Sequence, residues 1–467
     1  MPKVDNEHPL YTEARPFWQK MRDCIGGEDV IKTKDTAYLP VPPGLQADNK
    51  SPEYQNYKTR ARFPEMVAPA VEGMVGLMGR KLNEPELPPA MKYLYDEATP
   101  DGLSLLELES RIRHEVCSMG RFCLFVDVPE EGGNPYIATY PAESVINWRG
   151  DADRLTLVVF YEEIQEADPV DTFVTITIPQ WREASIEVNE DTGREQYVVR
   201  VWREDNSVEK EHTKHKQFYI EEEFFPTIRG ESLSFVPVVI MGSRDLMPEP
   251  DAIPLIGAAN KSLHYYRQYA DYALQLFMSA NGTTPYGTGI AKDDIPKVIG
   301  PATFWSSEAP DATFGFAEIT GAGLASQKEE LENIKAEIAY ATVRVLGDKK
   351  AAEAAETLRL RFQSQTATLN SIAKACGSGL RRSLRFCALW LGANEDDVKV
   401  TTDVEFISEQ PDPQLMKILY DGVEKGFMPE ELLIEYTRRV ELHDMDSETF
   451  RAWAPFFMGL GSGEEDE

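Results

Sequence analysis

Two long helical segments on either side of a Gly- and Pro-rich stretch constrain the fold of this chain more than any other feature. Apolar residues recur at helical spacing over 251–281 and again over 326–346. About 30 residues at 1.5 Å each make a first helix of roughly 45 Å, which is long for a globular protein. The stretch 282–325 between them is rich in Gly and Pro but retains aromatic residues, so we expect short strands and turns there. The sequence therefore predicts a helical stalk with a small module at its tip.

The chain before the stalk changes its periodicity near residue 120. Residues 1–120 are predicted to be mainly helical, and Ser104 is placed to cap the last of these helices. The helices are expected over 11–25, 54–80 and 103–120. Residues 121–250 alternate apolar and polar side chains between polar turns, which predicts an antiparallel β-rich module. Its strands are expected over 122–127, 155–164, 172–178, 184–188, 197–203, 217–222 and 237–241.

The chain after the stalk returns to helix. A break at 347–350 precedes a third long helix over 351–376, and Gly377 and Gly379 are expected to interrupt it before it resumes over 380–391. A strand over 398–407 and helices over 413–425 and 429–439 are expected to follow. The last nine residues, 459–467, are Gly and acidic residues and are expected to be disordered. This order predicts an α+β protein of several sub-domains.

A short basic region stands out against the charge of the whole chain. The formal net charge is −31, yet residues 344–385 include nine basic and three acidic residues, a local balance of +6. Such a region limits where a polyanion can bind, because the rest of the chain repels one. On exposed helix faces the same cations would also balance neighbouring Glu side chains, so that alternative stays open.

The cysteines and the apolar runs limit the cellular setting. The five cysteines are few, odd in number and scattered, which is typical of buried free thiols in a reducing compartment. No apolar run approaches the roughly 20 residues that a membrane helix needs. Residues 1–23 also lack the hydrophobic core of a secretory signal, so no membrane partner is expected.

Several short segments share their order and spacing with one known family. Among them are Trp18 to Asp23, Gly120 to Asp127 and Ile146 to Trp148. Further segments lie at 26–27, 38–40, 54–61, 73–81, 128–129, 140–141 and 248–260. Together they resemble a subfamily of bacteriophage portal proteins, the head-to-tail connectors. The resemblance covers most of the chain and depends on the order of the segments rather than on one motif.

The portal fold is described as wing, stem, clip and crown, and the resemblance implies where each would lie. By position it implies a wing over 1–250, which is helical over 1–120 and β-rich over 121–250. It then implies a stem helix over 251–281, a clip over 282–325 and a second stem helix over 326–346. A tunnel loop over 347–356, a tunnel-side helix over 357–376, a wing return with a short crown over 377–458 and the acidic tail over 459–467 would follow.

The function that the resemblance implies is structural and mechanical. A homo-oligomeric ring, usually of twelve subunits, would replace a pentamer at one capsid vertex and conduct DNA during packaging and ejection. The implied partners are double-stranded DNA, bound without sequence preference, the terminase packaging motor, the major capsid or scaffolding protein, and a head-completion or adaptor protein. The implied location is the virion, and the host cytoplasm during assembly. No catalytic residue, cofactor or metal is implied.

Two lysines are the first candidates for contact with DNA. Lys349 and Lys350 lie at the break between two long helices, and in a ring one such loop per subunit would encircle the channel. Such contacts would be transient, independent of sequence and sensitive to salt. Five arginines are further candidates for the channel or for contacts between subunits: Arg359, Arg361, Arg381, Arg382 and Arg385.

Catalytic and metal-binding patterns are incomplete. The P-loop pattern is absent, although 377–383 loosely imitates it, and Gly287 and Gly289 lack the third glycine of a dinucleotide site. Four groups lack the further ligands that a metal site needs: His212 with His215, Cys117 with Cys123, Glu221 to Glu223, and Glu329 with Glu330. Two alternatives to the portal stay open. One is a head or head–tail structural protein without a channel, and the other is a metal-dependent nucleic-acid enzyme.

Overall fold

The computed structural model divides the chain into two compact units, Met1–Thr402 and Asp403–Glu467. The described residues are 3–43, 48–80, 84–129, 132–168, 170–190, 192–205, 217–280, 284–290, 306–307, 310–317, 323–343, 355–402 and 413–439. The acidic tail predicted at 459–467 lies outside them. Among the described residues, no helix combines the length and the hydrophobicity needed to cross a membrane. Helices and sheets both build the fold, which is α+β as predicted.

The N-terminal part of the first unit is helical. Its helices are α1 (Pro9–Ile25), α2 (Gly27–Thr33), α3 (Pro52–Arg60), α4 (Val67–Met78) and α5 (Leu105–Met119), with short 3-10 turns at Asp35–Ala37 and Pro89–Tyr95. The predictions over 11–25 and 103–120 are confirmed, but the single helix predicted over 54–80 is wrong. The chain becomes extended at Ala61 (φ −62°, ψ 144°). Pro64 follows and has no N–H to continue a helical ladder, so helix resumes only at Val67.

The junction after α5 brings the helical part close to the stalk. Ser104 caps the helix, because its Oγ accepts from the Glu107 backbone N–H and the Glu107 carboxylate accepts from the Ser104 backbone N–H. Gly120 ends the helix with φ +69°, and a Cβ there would lie 2.7 Å from the carbonyl oxygen of Ala252. A glycine therefore permits both the turn and the close approach of the segment that leads into the stalk.

The β-rich part forms antiparallel sheets. Its strands are β1 (Arg121–Asp127), β2 (Tyr136–Pro141), β3 (Val145–Gly150), β4 (Leu155–Ala167), β5 (Thr175–Val188), β6 (Glu195–Glu204), β7 (Phe218–Phe224), β8 (Thr227–Ile228), β9 (Glu231–Ser232) and β10 (Val238–Gly242), with a 3-10 turn at Ala142–Ser144. A three-stranded sheet has the order β10-β1-β2, and a five-stranded sheet has the order β3-β4-β5-β6-β7. Phe125 of β1 stacks on Phe160 of β4 with ring centroids 5.7 Å apart, which joins the two sheets in one core.

The two strands predicted at 172–178 and 184–188 are one strand, β5, so that prediction is wrong. Pro179 lies inside it, opposite Glu163 of β4. Pairing with β6 begins only at Gln180. Proline is tolerated because this stretch of β5 has no β6 partner that would need the missing N–H.

The two helices predicted for the stalk are confirmed, and two short paired strands lie between them in the chain. The other residues of the predicted tip, 282–283, 291–305, 308–309 and 318–322, lie outside the described residues. The elements of the stalk are α6 (Ile256–Ala280), β11 (Thr284–Thr288), β12 (Thr313–Ala317) and α7 (Leu324–Val343). Thr284 pairs with Ala317, and Lys261 near the start of α6 forms an ion pair with Glu337 near the end of α7. The helices are therefore antiparallel. The 25 residues of α6 span about 37 Å at 1.5 Å per residue.

The helix after the break is longer than predicted. α8 (Ala355–Leu391) continues through Gly377 and Gly379, so the predicted interruption is wrong. A Cβ on Gly379 would lie 2.7 Å from Met241 Cε of β10, and one on Gly377 would lie 2.0 Å from Thr402 Oγ1. The glycines let α8 pack closely rather than end it. A 3-10 turn, Glu395–Asp397, follows α8.

The strand predicted over 398–407 is wrong in its described part, 398–402. In that part, Lys399 pairs with Glu86 in an isolated bridge rather than in a strand. Residues 403–407 lie outside the described residues. The second unit contains α9 (Pro413–Glu424) and α10 (Glu430–Arg439), which confirms the predicted helical hairpin. Gly426 stands between these helices with φ +70°, a conformation that favours glycine.

Candidate functional site

Lys349 and Lys350, the candidate channel lysines, lie outside the described residues. The helices around them are described, since α7 ends at Val343 and α8 begins at Ala355. The expected helix–break–helix order is therefore confirmed in its two helices. The contact of these lysines with DNA stays a prediction.

Arg359 and Arg361 lie in the first two turns of α8. Their side chains are outside the part of the chain that the structure describes, so their channel or subunit-contact role also stays a prediction. Both are placed on the helix that follows the break.

The other three candidate arginines have different surroundings. Arg382 contacts its own subunit: Nη2 donates to the carbonyl oxygen of Asp153 at 2.8 Å, and the guanidinium carbon lies 5.8 Å from the centroid of Phe386. Arg385 reaches Asp396 at 3.9 Å, although the Asp396 side chain is 90% exposed. Arg381 is exposed and has no ion pair within the described residues. Arg382 therefore fixes the fold, whereas Arg381 is available to a partner.

An exposed lysine shares the face of Arg381. Lys374 precedes it by seven residues on α8, a spacing that places both on one side of a helix, and Arg385 follows eleven residues after Lys374 on the same side. We call Lys374, Arg381 and Arg385 the cationic stripe. It spans about 17 Å at 1.5 Å per residue. Phe386 beside it is half-buried and packs on Phe235 with ring centroids 5.1 Å apart.

Two of the acidic candidates for metal chemistry, Glu221 and Glu223, serve as ion-pair partners in the sheet. Glu223 of β7 accepts from Arg200 of β6 at 2.6 Å, and Glu221 forms an ion pair with Arg203. Glu329 and Glu330 are exposed on α7. Within the described ranges, no group of three or more His, Cys, Asp or Glu residues is arranged to hold a metal ion. His212 and His215 lie outside those ranges.

The cysteines are buried free thiols, as predicted. Burial raises the pKa of the Cys24 thiol to about 12 and does the same for Cys376. Thiols with raised pKa values are poor nucleophiles and metal ligands. Cys117 and Cys123 are likewise core residues on either side of the α5–β1 junction.

One buried arginine was not singled out by the sequence patterns. Arg121 opens β1 and is fully buried, and its Nη2 donates to the carbonyl oxygen of Pro248 at 2.8 Å. Its guanidinium carbon lies 4.3 Å from the ring centroid of Trp148. Burial lowers the pKa of Arg121 to about 10. The sequence signal for a buried Arg121 is a basic residue at the start of an otherwise apolar strand. Periodicity alone treats such a residue as the exposed end of the strand.

A projecting turn is the second feature that the patterns missed. Val170 and Phe173, between β4 and β5, are 93% and 98% exposed. The sequence pattern included Phe173 in a strand, because an apolar residue near a run of β-formers reads as core. The structure places it at the tip of a hairpin instead.

The chain is similar to a protein-family model and to several solved structures. Residues 254–391, from just before α6 to the end of α8, match a family model described as "Domain of unknown function (DUF4055)". None of the curated proteins matches. A chain in the neck of an empty gene transfer agent (GTA) particle, computed with C6 symmetry, is 13% identical over 79% of this chain and 90% of its own, with a TM-score of 0.38. A chain of the native GTA virion is 12% identical over 90% and 97%, with a TM-score of 0.35.

Proposed function

We propose that this chain is a portal subunit. Copies of it would form a ring, of twelve subunits by the resemblance, at one vertex of a phage-type capsid and conduct double-stranded DNA during packaging and ejection. The observation that carries the proposal is the stalk, in which α6 and α7 run antiparallel below a β-hairpin and are followed by a third long helix, α8. The segments that resemble portal proteins add support from the sequence.

The surface of the stalk supports assembly. Tyr266 and Ala270 of α6 are buried, but Leu276 and Phe277 near its distal end are 44% and 36% exposed. The Arg60 guanidinium carbon lies 3.9 Å from the centroid of the Phe277 ring, so part of this ring is covered within the chain. The remaining exposed apolar surface of Leu276 and Phe277 is of a kind that a partner covers. In a ring, the stalks of adjacent copies would cover each other.

The charge of the chain supports a conduit that does not retain DNA. A ring of subunits that each carry −31 repels a polyanion over most of its surface. Lys349 and Lys350 from each copy would then supply a set of brief phosphate contacts. The proposal assigns the hairpin end to the terminase motor and to head-completion proteins, and it assigns no catalytic residue.

Electron microscopy of the purified chain tests the proposal. We expect annular particles with a central channel, in both low and high salt. Shells or non-annular oligomers would favour the structural protein without a channel. A chain that stays monomeric in both salt conditions would overturn the portal.

A further inference from the structure

The hairpin of β4 and β5 projects from its sheet as an arm. β3 pairs with β4 only as far as Phe160, and β6 pairs with β5 only from Gln180. Beyond these points, 163–167 and 175–179 pair with each other and have no further strand beside them among the described residues. We call 161–179 the arm. Its tip carries Val170 and Phe173, whose side chains are almost wholly exposed.

The turn at the tip of the arm is held in a defined conformation. The Asp168 carboxylate accepts hydrogen bonds from the backbone N–H of Val170 at 2.7 Å and of Asp171 at 3.0 Å. The Asp171 carboxylate accepts from the backbone N–H of Phe173 at 3.1 Å. Two backbone hydrogen bonds with Val174 close the turn. The exposed apolar tip is therefore a formed surface, and apolar surface of this kind gains free energy when a partner removes it from water.

The charge of the arm indicates the partner. The sequence has no Lys or Arg between Arg154 and Arg182, so every charged residue of the arm is acidic. Glu163, Asp168 and Asp171 have no ion pair within the described part of the chain. The cationic stripe on α8 offers three cations, of which Lys374 and Arg381 likewise have no ion pair there. Phe386 lies about 100° round α8 from Arg385. It is half-buried, with Phe235 and Arg382 against its ring, and its exposed part gives the apolar tip a surface on the flank of the stripe.

The length of β4 separates the arm from the stripe within one copy. Arg382 of α8 binds Asp153, two residues before β4 begins, so the stripe lies near the start of that strand. The tip lies beyond its other end, and the 13 residues of β4 span about 43 Å at 3.3 Å each. Complementary surfaces at opposite ends of one subunit make a head-to-tail contact, and such contacts close into rings when the rotation permits.

We propose that the arm of one copy binds the cationic stripe of the next copy. Phe173 and Val170 pack beside Phe386, while the arm carboxylates pair with Lys374 and Arg381. The inference rests on the proposed function, because it names the contact between neighbouring subunits of that ring.

Two double variants and their mixture test the contact. Native mass spectrometry of Val170→Ser with Phe173→Ser, and of Lys374→Glu with Arg381→Glu, should show each variant alone as a monomer where the unaltered chain forms rings. Each variant keeps the surface that the other lacks. A one-to-one mixture should therefore give heterodimers that grow no further. The self-association of each variant alone should be at least tenfold weaker than that of the unaltered chain.

Matched controls separate the contact from general effects of charge and hydrophobicity. Val188→Ser removes an apolar side chain that is 64% exposed at the other end of β5. Lys50→Glu with Lys92→Glu makes the same change of charge at exposed positions in the helical part. Both controls should form rings, and circular dichroism should show all variants folded.

Photo-cross-linking gives a readout that needs no disruptive substitution. A benzophenone amino acid at position 173 should cross-link two copies, with the second site in the α8 peptides around Lys374 to Phe386. Cross-links elsewhere, or rings that survive both double variants, would overturn this contact and leave the portal proposal standing. An unaltered chain that forms no rings would overturn both.

Discussion

At the scale of single residues, one arginine connects three separate parts of the first unit. Arg22 of α1 binds Glu115 of α5, with Nη2 2.6 Å from Oε2, and Glu143 before β3, with Nε 2.8 Å from Oε1. Burial alone would raise the pKa of Glu115, but hydrogen bonds from His114 and Arg22 outweigh it and lower this pKa to about 2. The folded state therefore favours the charged carboxylate.

We predict that Glu115→Gln lowers the free energy of unfolding at pH 7 by ~1–3 kcal/mol, because Arg22 loses a charged acceptor in a half-buried site. The folded pKa of Glu115 is depressed, so its contribution is complete above about pH 4.3, the usual pKa of an unfolded Glu. It is lost as the pH falls toward 2. Urea denaturation from pH 7 to pH 2.5 should show the difference between variant and parent shrinking with falling pH.

The control for this prediction is Glu13→Gln, which alters an exposed glutamate on α1. It should change the free energy of unfolding by less than about 0.5 kcal/mol at any pH. A difference between Glu115→Gln and the parent that stays constant down to pH 2.5 would contradict the assigned pKa.

At the scale of helices and strands, periodicity predicted the elements whose burial is regular. In α6 and α7 the predicted faces are buried through Leu263, Ala270, Ile334 and Ile338, so the sequence alone located the stalk. Helix breaks were predicted less well, because packing against residues distant in the sequence outweighs the local tendency of glycine to end a helix. Gly377 and Gly379 weaken a helix by about 1 kcal/mol each, yet packing on β10 and beside Thr402 keeps α8 continuous.

The candidate site was predictable to a smaller extent. A count of charges locates the basic region, but it does not show that Arg382 binds Asp153 while Arg381 stays exposed. That difference depends on where the turn before β4 folds back against α8. The exposure of Phe173 depends in the same way on how far β4 and β5 extend beyond their neighbours.

The close packing of α8 gives a second prediction. Alanine normally stabilises a helix interior by about 1 kcal/mol relative to glycine. At Gly379 the added methyl group would lie 2.7 Å from Met241 Cε and 3.4 Å from Leu246 Cδ2. Met241 is fully buried, so its flexible end has to move within a packed core. We expect this rearrangement to offset the helix-forming gain, so that Gly379→Ala lowers the free energy of unfolding by up to about 1 kcal/mol.

Gly76→Ala in α4 is the matched control, because no neighbouring atom lies within 4 Å of the added methyl group. It should raise the free energy of unfolding by ~0.5–1 kcal/mol. Guanidinium denaturation of both variants measures the two effects. An equal gain in stability from both substitutions would show that α8 does not pack closely on β10.

At the scale of the whole molecule, the placement of charge separates two tasks. In the proposals above, the cationic stripe and the acidic arm form contacts between copies, and the predicted helix break at 347–350 contacts DNA. Subunit contacts must overcome the repulsion between chains of −31. Pairing the few unpartnered cations with the arm of a neighbour reduces that repulsion where the copies meet. In the proposed ring, the contact with a polyanion is assigned to Lys349 and Lys350, which lie outside the described residues.

This separation predicts a defect in packaging without a defect in assembly. Lys349→Glu with Lys350→Glu should leave annular particles unchanged by electron microscopy, because neither lysine belongs to the arm or the stripe. The channel would lose two cations and gain two anions per subunit. DNase-protected DNA per particle should therefore fall at least tenfold, and more steeply as salt is lowered, since repulsion of phosphates is least screened there. Lys50→Glu with Lys92→Glu carries the same change of charge at exposed positions of the helical part, one in a turn and one in a 3-10 helix, and should package normally. Normal packaging by the Lys349 and Lys350 variant would remove these lysines from the channel and leave the ring itself to the assembly tests.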